Sequence, residues 1–167
     1  MMNAWIELKG TEENYIWDRF FTQFNFIPSV KKENWPGIME PTPSVTYEIS
    51  HVYKEDNEQF KIINFNLMES VLKCFQNLLS KEEYLYALDW QHKCYKFYPH
   101  LPFELEFDEW IVPLIPDGDY HIFLEKDLHF GIFGHPWEQT MCVFGEELIV
   151  NIEKLKPTLF TNIVRCK

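Results

Sequence analysis

The chain has 167 residues, with 26 acidic against 15 basic side chains and a formal charge of −11. This length suits one domain spanning 1–167, which buries about two thirds of the surface its unfolded chain exposes, so stability requires neither disulfide nor metal. The acidic balance, with no basic run longer than Lys31-Lys32, argues against nucleic acid and anionic membranes as partners and permits a basic protein partner.

Aromatic residues make up 17% of the chain, which favours a core built from rings. Thr11 is a plausible N-cap, followed by Glu12 and Glu13. Ile16, Trp17, Phe20, Phe21 and Phe24 then recur at helical spacing. Residues 28–45 contain Pro28, Pro36, Pro41 and Pro43, so an extended connection is expected. Val30, Trp35, Ile38 and Met39 should hold it against the body. Val45 to Tyr53 alternates as a strand.

Asp56, with Gln59 three positions later, reads as a capping box. The spacing of Phe60, Ile63, Leu67, Val71, Phe75 and Leu78 predicts the longest helix over 58–79. From Tyr84 the period becomes two, and strands are expected at 84–90 and 94–98. Residues 99–109 form an acidic loop, and 110–115, interrupted by Pro113, reads as a short edge strand. Pro116-Asp117-Gly118-Asp119 is a turn.

Strands at 120–124 and 128–133, joined by a turn at 125–127, would pair Leu124 with Leu128, Ile122 with Phe130 and Tyr120 with Ile132. That register places these six side chains towards the helices and puts Asp119, His121, His129 and His135 on the opposite side. A strand at 140–144, a helix from Glu146 to Lys156 and a final helix through Leu159, Phe160, Ile163 and Val164 complete the chain. The expected class is α+β, an antiparallel sheet of about five or six strands with helices packed mainly on one face and the other face partly wet.

Three groups of residues could carry function. Asp119, His121, His129 and His135 could converge on the wet face, with Gly131 opposite His121. Asp89, Trp90 and His92, with His100 further along, could place a carboxylate beside an imidazole, provided that a bulge or turn brings Asp89 and His92 together. His135, Trp137 and Glu138 could form a recognition tip on a Gly-flanked turn. For each group the plainer alternative is structural: a polar sheet face, a hydrogen-bonded bulge, or a hairpin whose Trp covers the core.

The histidine spacing matches no zinc motif, and no phosphate-binding, nucleophile-elbow or metalloprotease signature occurs. No cofactor or resident metal is therefore expected. Cys74, Cys94, Cys142 and Cys166 have no Cys-x-x-Cys spacing, the N-terminus has no secretory pattern, and no apolar stretch reaches about 20 residues. Reduced thiols and a cytoplasmic location follow as expectations.

The segments WPGI at 35–38, YALDWQH at 86–92, YPH at 98–100, DGDY at 117–120 and FGIFGHPWEQTMCVFGEEL at 130–148 together resemble an uncharacterised bacterial family, domain of unknown function 2716. The resemblance implies a bacterial single-domain protein and assigns no residue a role. Two readings of function remain open. One is a small non-catalytic protein-binding module, of which an immunity-type protein that binds a basic partner is one form. The other is a small enzyme using the Asp/His face, with or without a divalent metal. Oligomeric state is not legible.

Overall fold

The computed structural model describes residues 2–167. In chain order the elements are β1 (Trp5–Glu7), α1 (Gly10–Phe24), β2 (Ser44–Glu48), α2 (Asn57–Leu78), β3 (Leu85–Asp89), β4 (Tyr95–Phe97), β5 (His121–Glu125), β6 (Gly131–His135), β7 (Thr140–Phe144), α3 (Glu146–Leu155) and β8 (Ile163–Cys166). All eight strands join one sheet in the order β1-β4-β3-β5-β6-β7-β2-β8, and each pairing is antiparallel.

The α+β class is as expected, but the sheet has eight strands instead of five or six. The two additional ones are its edges, β1 and β8. Their sequences are too short to show a period, and each is placed by the open backbone of a neighbour. β8 occupies the segment expected to be a final helix. Its β-branched Ile163 and Val164 suit extended backbone, and Ser44 exchanges two amide–carbonyl bonds with Lys167 at 3.0 and 2.9 Å.

The helices form for local reasons that the packing then uses. The Asp56 carboxylate accepts the Gln59 amide at 2.8 Å, capping α2. Leu67, Val71, Cys74 and Phe75 make its buried face. In α1, which starts at Gly10 with Lys9 as the capping residue instead of Thr11, Ile16, Phe20 and Phe24 are buried. Glu146 and Glu147 occupy the first turn of α3, where the helix dipole favours negative charge.

Two cores result. α2 and α3 cover one sheet face with Leu67, Phe75, Leu148 and Ile152 against Ala87, Phe123, Ile132 and Val143. α1 covers the other with Phe20 and Phe24 against Leu88, Ile122, Phe133 and Phe144. Two of the three helices do share a face, but the second face is not wet. The proline-rich connection helps to seal it: the Met39 amide donates to the Phe24 carbonyl at 2.7 Å, the Ile27 amide donates to that of Gly37 at 2.8 Å, and Ile38 is buried, whereas Val30 and Met39 are each 61% exposed and do not hold the connection as expected.

Residues 110–115 are not a strand. Pro113 removes a ladder donor, and Trp110, Val112, Leu114 and Ile115 instead plug the end of the α2-side core. The expected strand at 45–53 stops at Glu48 and continues as a short 3-10 helix over Ser50–Lys54.

The hairpin register differs from expectation by three positions: Leu124 pairs with Gly131, Phe123 with Ile132, Ile122 with Phe133 and His121 with Gly134. Two features select it. The Glu125 carboxylate accepts the amides of Asp127 and His129 at 2.9 and 3.0 Å, holding a longer turn in which Leu128 has φ +64°. Gly131 then fits where a Cβ would lie 2.2 Å from the Phe123 carbonyl oxygen and 2.8 Å from the Phe144 ring. An odd shift turns one strand over. Tyr120, Ile122, Leu124 and Leu128 face α1, whereas Phe130 and Ile132 face α2.

Candidate functional site

The same shift separates the histidines expected to share a face. His121 follows the parity of Phe123, on the α2 side, and His135 follows that of Phe133, on the α1 side. His129 lies in the turn, 80% exposed, with Nδ1 3.4 Å from Glu125. Gly134, not Gly131, is opposite His121.

His135 is fully buried. Its Nδ1 accepts the Glu138 amide at 3.0 Å, so Nε2 carries the proton; that atom has no hydrogen-bond partner among the described residues. Burial pushes its pKa down to about 4. The rings of Trp35, Tyr120 and Trp137 surround it at centroid distances of 5.4, 5.0 and 6.2 Å. The turn is therefore less a free recognition tip than a lid on the core, with Trp137 still 38% exposed.

Glu138 turns away from His135 towards Arg165, meeting Nη1 and Nη2 at 2.9 and 2.8 Å. Burial acts to raise the Glu138 carboxyl pKa, but the bonds to Arg165 and Thr140 win and hold it below the ordinary value. Glu40, also bound to Arg165, completes this network. Neither Glu40 nor Arg165 stood out in the sequence, because they are 125 positions apart.

Trp90 is half-buried and packs on Trp17 and Phe26 at 5.4 and 5.5 Å. His100 donates from Nε2 to the Leu79 carbonyl at 2.8 Å, satisfying a carbonyl at the end of α2. Both have structural work that requires no ligand.

Asp89, His92, Asp119 and His121 do come together, although the sequence divides them between two groups. A turn after β3, in which the His92 amide donates to the Asp89 carbonyl at 3.1 Å and Gln91 has φ +67°, folds His92 back on Asp89. Its Nδ1 lies 3.0 Å from Asp89 Oδ1 and 3.3 Å from Asp119 Oδ2. Asp89 and His121 are direct partners in the β3–β5 pairing, and His121 Nε2 lies 3.6 Å from Asp89 Oδ2. The carboxylate hydrogen bond to His92 is the main cause that raises its pKa. Burial lowers that of His121.

The acidic loop carries a further feature, a tight hairpin turn at its centre. Glu106 and Glu109 exchange two backbone hydrogen bonds at 2.9 and 3.0 Å, with Phe107 and Asp108 at φ +51° and +63° between them. Positive φ at both central positions marks a tight hairpin turn that normally takes Asn or Gly. Phe107 is 99% exposed. A lone aromatic residue amid Glu104, Glu106, Asp108 and Glu109 was the available signal. Elsewhere, a groove of about 440 Å³ lined by Tyr47, Ile152, Phe160 and Ile163 contains none of the candidate side chains.

The chain belongs to the family described as protein of unknown function (DUF2716), whose model matches residues 7–149. It is 37% identical over 166 residues to the protein named "Uncharacterized protein YxiI" of Bacillus subtilis (strain 168), covering 97% of this chain and 99% of that one. No solved structure matches. No helix of the described residues is long and apolar enough to cross a membrane.

Proposed function

We propose that this protein is a single-domain, non-catalytic binding module that engages a basic protein through the acidic hairpin at 104–109. Phe107 carries the reading, being 99% exposed and held at φ +51°. A bulky residue in the left-handed region costs about 1–2 kcal/mol, and burying a Phe side chain contributes about 1.5–3 kcal/mol. Folding incurs the first and leaves the second unused, whereas a partner that encloses the ring recovers it. Aromatic anchors of this kind dominate many interfaces.

The carboxylates around the ring select the partner. Glu104 and Glu106, both exposed, favour a hollow rimmed by Lys or Arg, while Asp108 is already paired with Lys61 at 3.0 Å; the overall charge of −11 steers such a protein inward. Four free cysteines suit a reducing, cytoplasmic setting. An immunity-type protein that masks a basic toxin is one form of this reading.

A photoreactive amino acid placed at Glu106 in the full chain, with Lys81 as the control position, tests it in cells. Captured proteins should be basic, with pI above about 9, and capture should weaken with salt and with Phe107→Ala. Acidic captured partners, or unchanged capture by Phe107→Ala, would overturn the proposal.

A further inference from the structure

At the end of β3 and the start of β5, the His92 Nδ1 faces three oxygens: Asp89 Oδ1 at 3.0 Å, Trp90 O at 3.1 Å and Asp119 Oδ2 at 3.3 Å. One imidazole proton cannot serve all three well. Two carboxylates meet here with little solvent, their side chains 17% and 14% exposed.

The separations suit a metal polyhedron. Donors bound to a first-row cation at about 2.0–2.2 Å lie about 3.0–3.5 Å from one another, and here one donor atom from each of Asp89, His92 and Asp119 lies within 4.8 Å of the others. His121 is a separate observation. It is 4% exposed, its Nδ1 has no hydrogen-bond partner, and its Nε2 points at the free oxygen of Asp89 from 3.6 Å. Its position is that of an outer-shell donor, orienting a carboxylate whose other oxygen binds the ion.

We infer that Asp89, His92 and Asp119 form a binding site for a divalent first-row transition-metal cation, with His121 orienting Asp89 from the core side. Carboxylate oxygens with one imidazole suit Zn²⁺ or Mn²⁺ better than Cu⁺, which prefers thiolate and thioether sulfur. The sequence hid the site because Asp89 and His92 come from one turn and Asp119 from another. The β3–β5 register brings them together.

The other acid–histidine group, Glu125, Asp127 and His129, provides an internal control, since the Glu125 carboxylate is already taken by two backbone amides. Titration calorimetry of the full chain with Zn²⁺ should show one site. His92→Ala, at a 63% exposed side chain, should weaken it at least tenfold, as should Asp119→Asn. His121→Gln should weaken it about 10–100-fold, and His129→Ala should leave it unchanged. No binding by the wild-type chain, binding retained in His92→Ala and Asp119→Asn, or binding lost only in His129→Ala would each overturn the inference.

Discussion

Arg165 grips Glu40 with two parallel contacts, Nε to Oε1 at 2.7 Å and Nη2 to Oε2 at 3.1 Å. The Glu40 side chain is only 2% exposed, and the same guanidinium also binds Glu138. Edge strand β8 is thereby fastened to the proline-rich connection and to the turn after β6. Arg165→Met keeps the apolar stem but strands two carboxylates, and breaking buried pairs of this sort costs about 3–5 kcal/mol. Urea denaturation should show a loss at the lower end of that range, because Arg165 is itself partly exposed. A loss below about 1 kcal/mol would mean that the charges find water instead.

Acid should destabilise the protein through its buried histidines. His135 has its folded pKa lowered by burial to about 4, with Glu138 acting to raise it and Arg165 to lower it. His121 is lowered for the same first reason. In the window between about 4 and the ordinary 6.5, the unfolded chain binds more protons, so stability is complete above pH 6.5 and falls as pH drops towards 4. For His135 the effect is of order 3 kcal/mol at most. His135→Phe should flatten that part of the pH–stability curve, whatever it does to stability at pH 7. An unchanged slope would place the acid sensitivity elsewhere.

The sheet-facing side of α2 is expected to dominate its energetics. Leu67 is fully buried, and Leu67→Ala should cost about 2–5 kcal/mol in denaturant melts. Ile62, five positions earlier and 61% exposed, should change stability by no more than about 0.5 kcal/mol when replaced by Ala. Equal costs at the two positions would contradict the helix orientation.

Thiol reactivity separates Cys166 from the rest. All four cysteines are free, and only Cys166 is exposed. Burial pushes the thiol of Cys94 up to about 11 and those of Cys74 and Cys142 up to about 12, so little thiolate forms at neutral pH. A thiol reagent should label one cysteine rapidly in the native protein and four after denaturation. Rapid native labelling of two or more would show that the strands open readily.

The sequence by itself determined the elements whose signal is local. The 3.6-residue rhythm from Phe60 to Leu78 and the Asp56 cap located α2 to within one residue at each end, and β7 falls on the expected 140–144. The requirement that a turn join Asp89 to His92 was legible from strand parity, and so was the apolar character of the connection at 28–45. Only the tertiary structure decided the matters that depend on distant backbone. β1 and β8 exist because β4 and β2 have edges to fill, and Ile163–Cys166 became a strand for that reason. The β5–β6 register was set by the Glu125-braced turn and by the close approach at Gly131. A period of two reports that side chains alternate, not which core each side meets. The odd shift therefore sent His121 and His135 to opposite faces, and the β3–β5 register placed His121 beside Asp89 and brought Asp119 to His92.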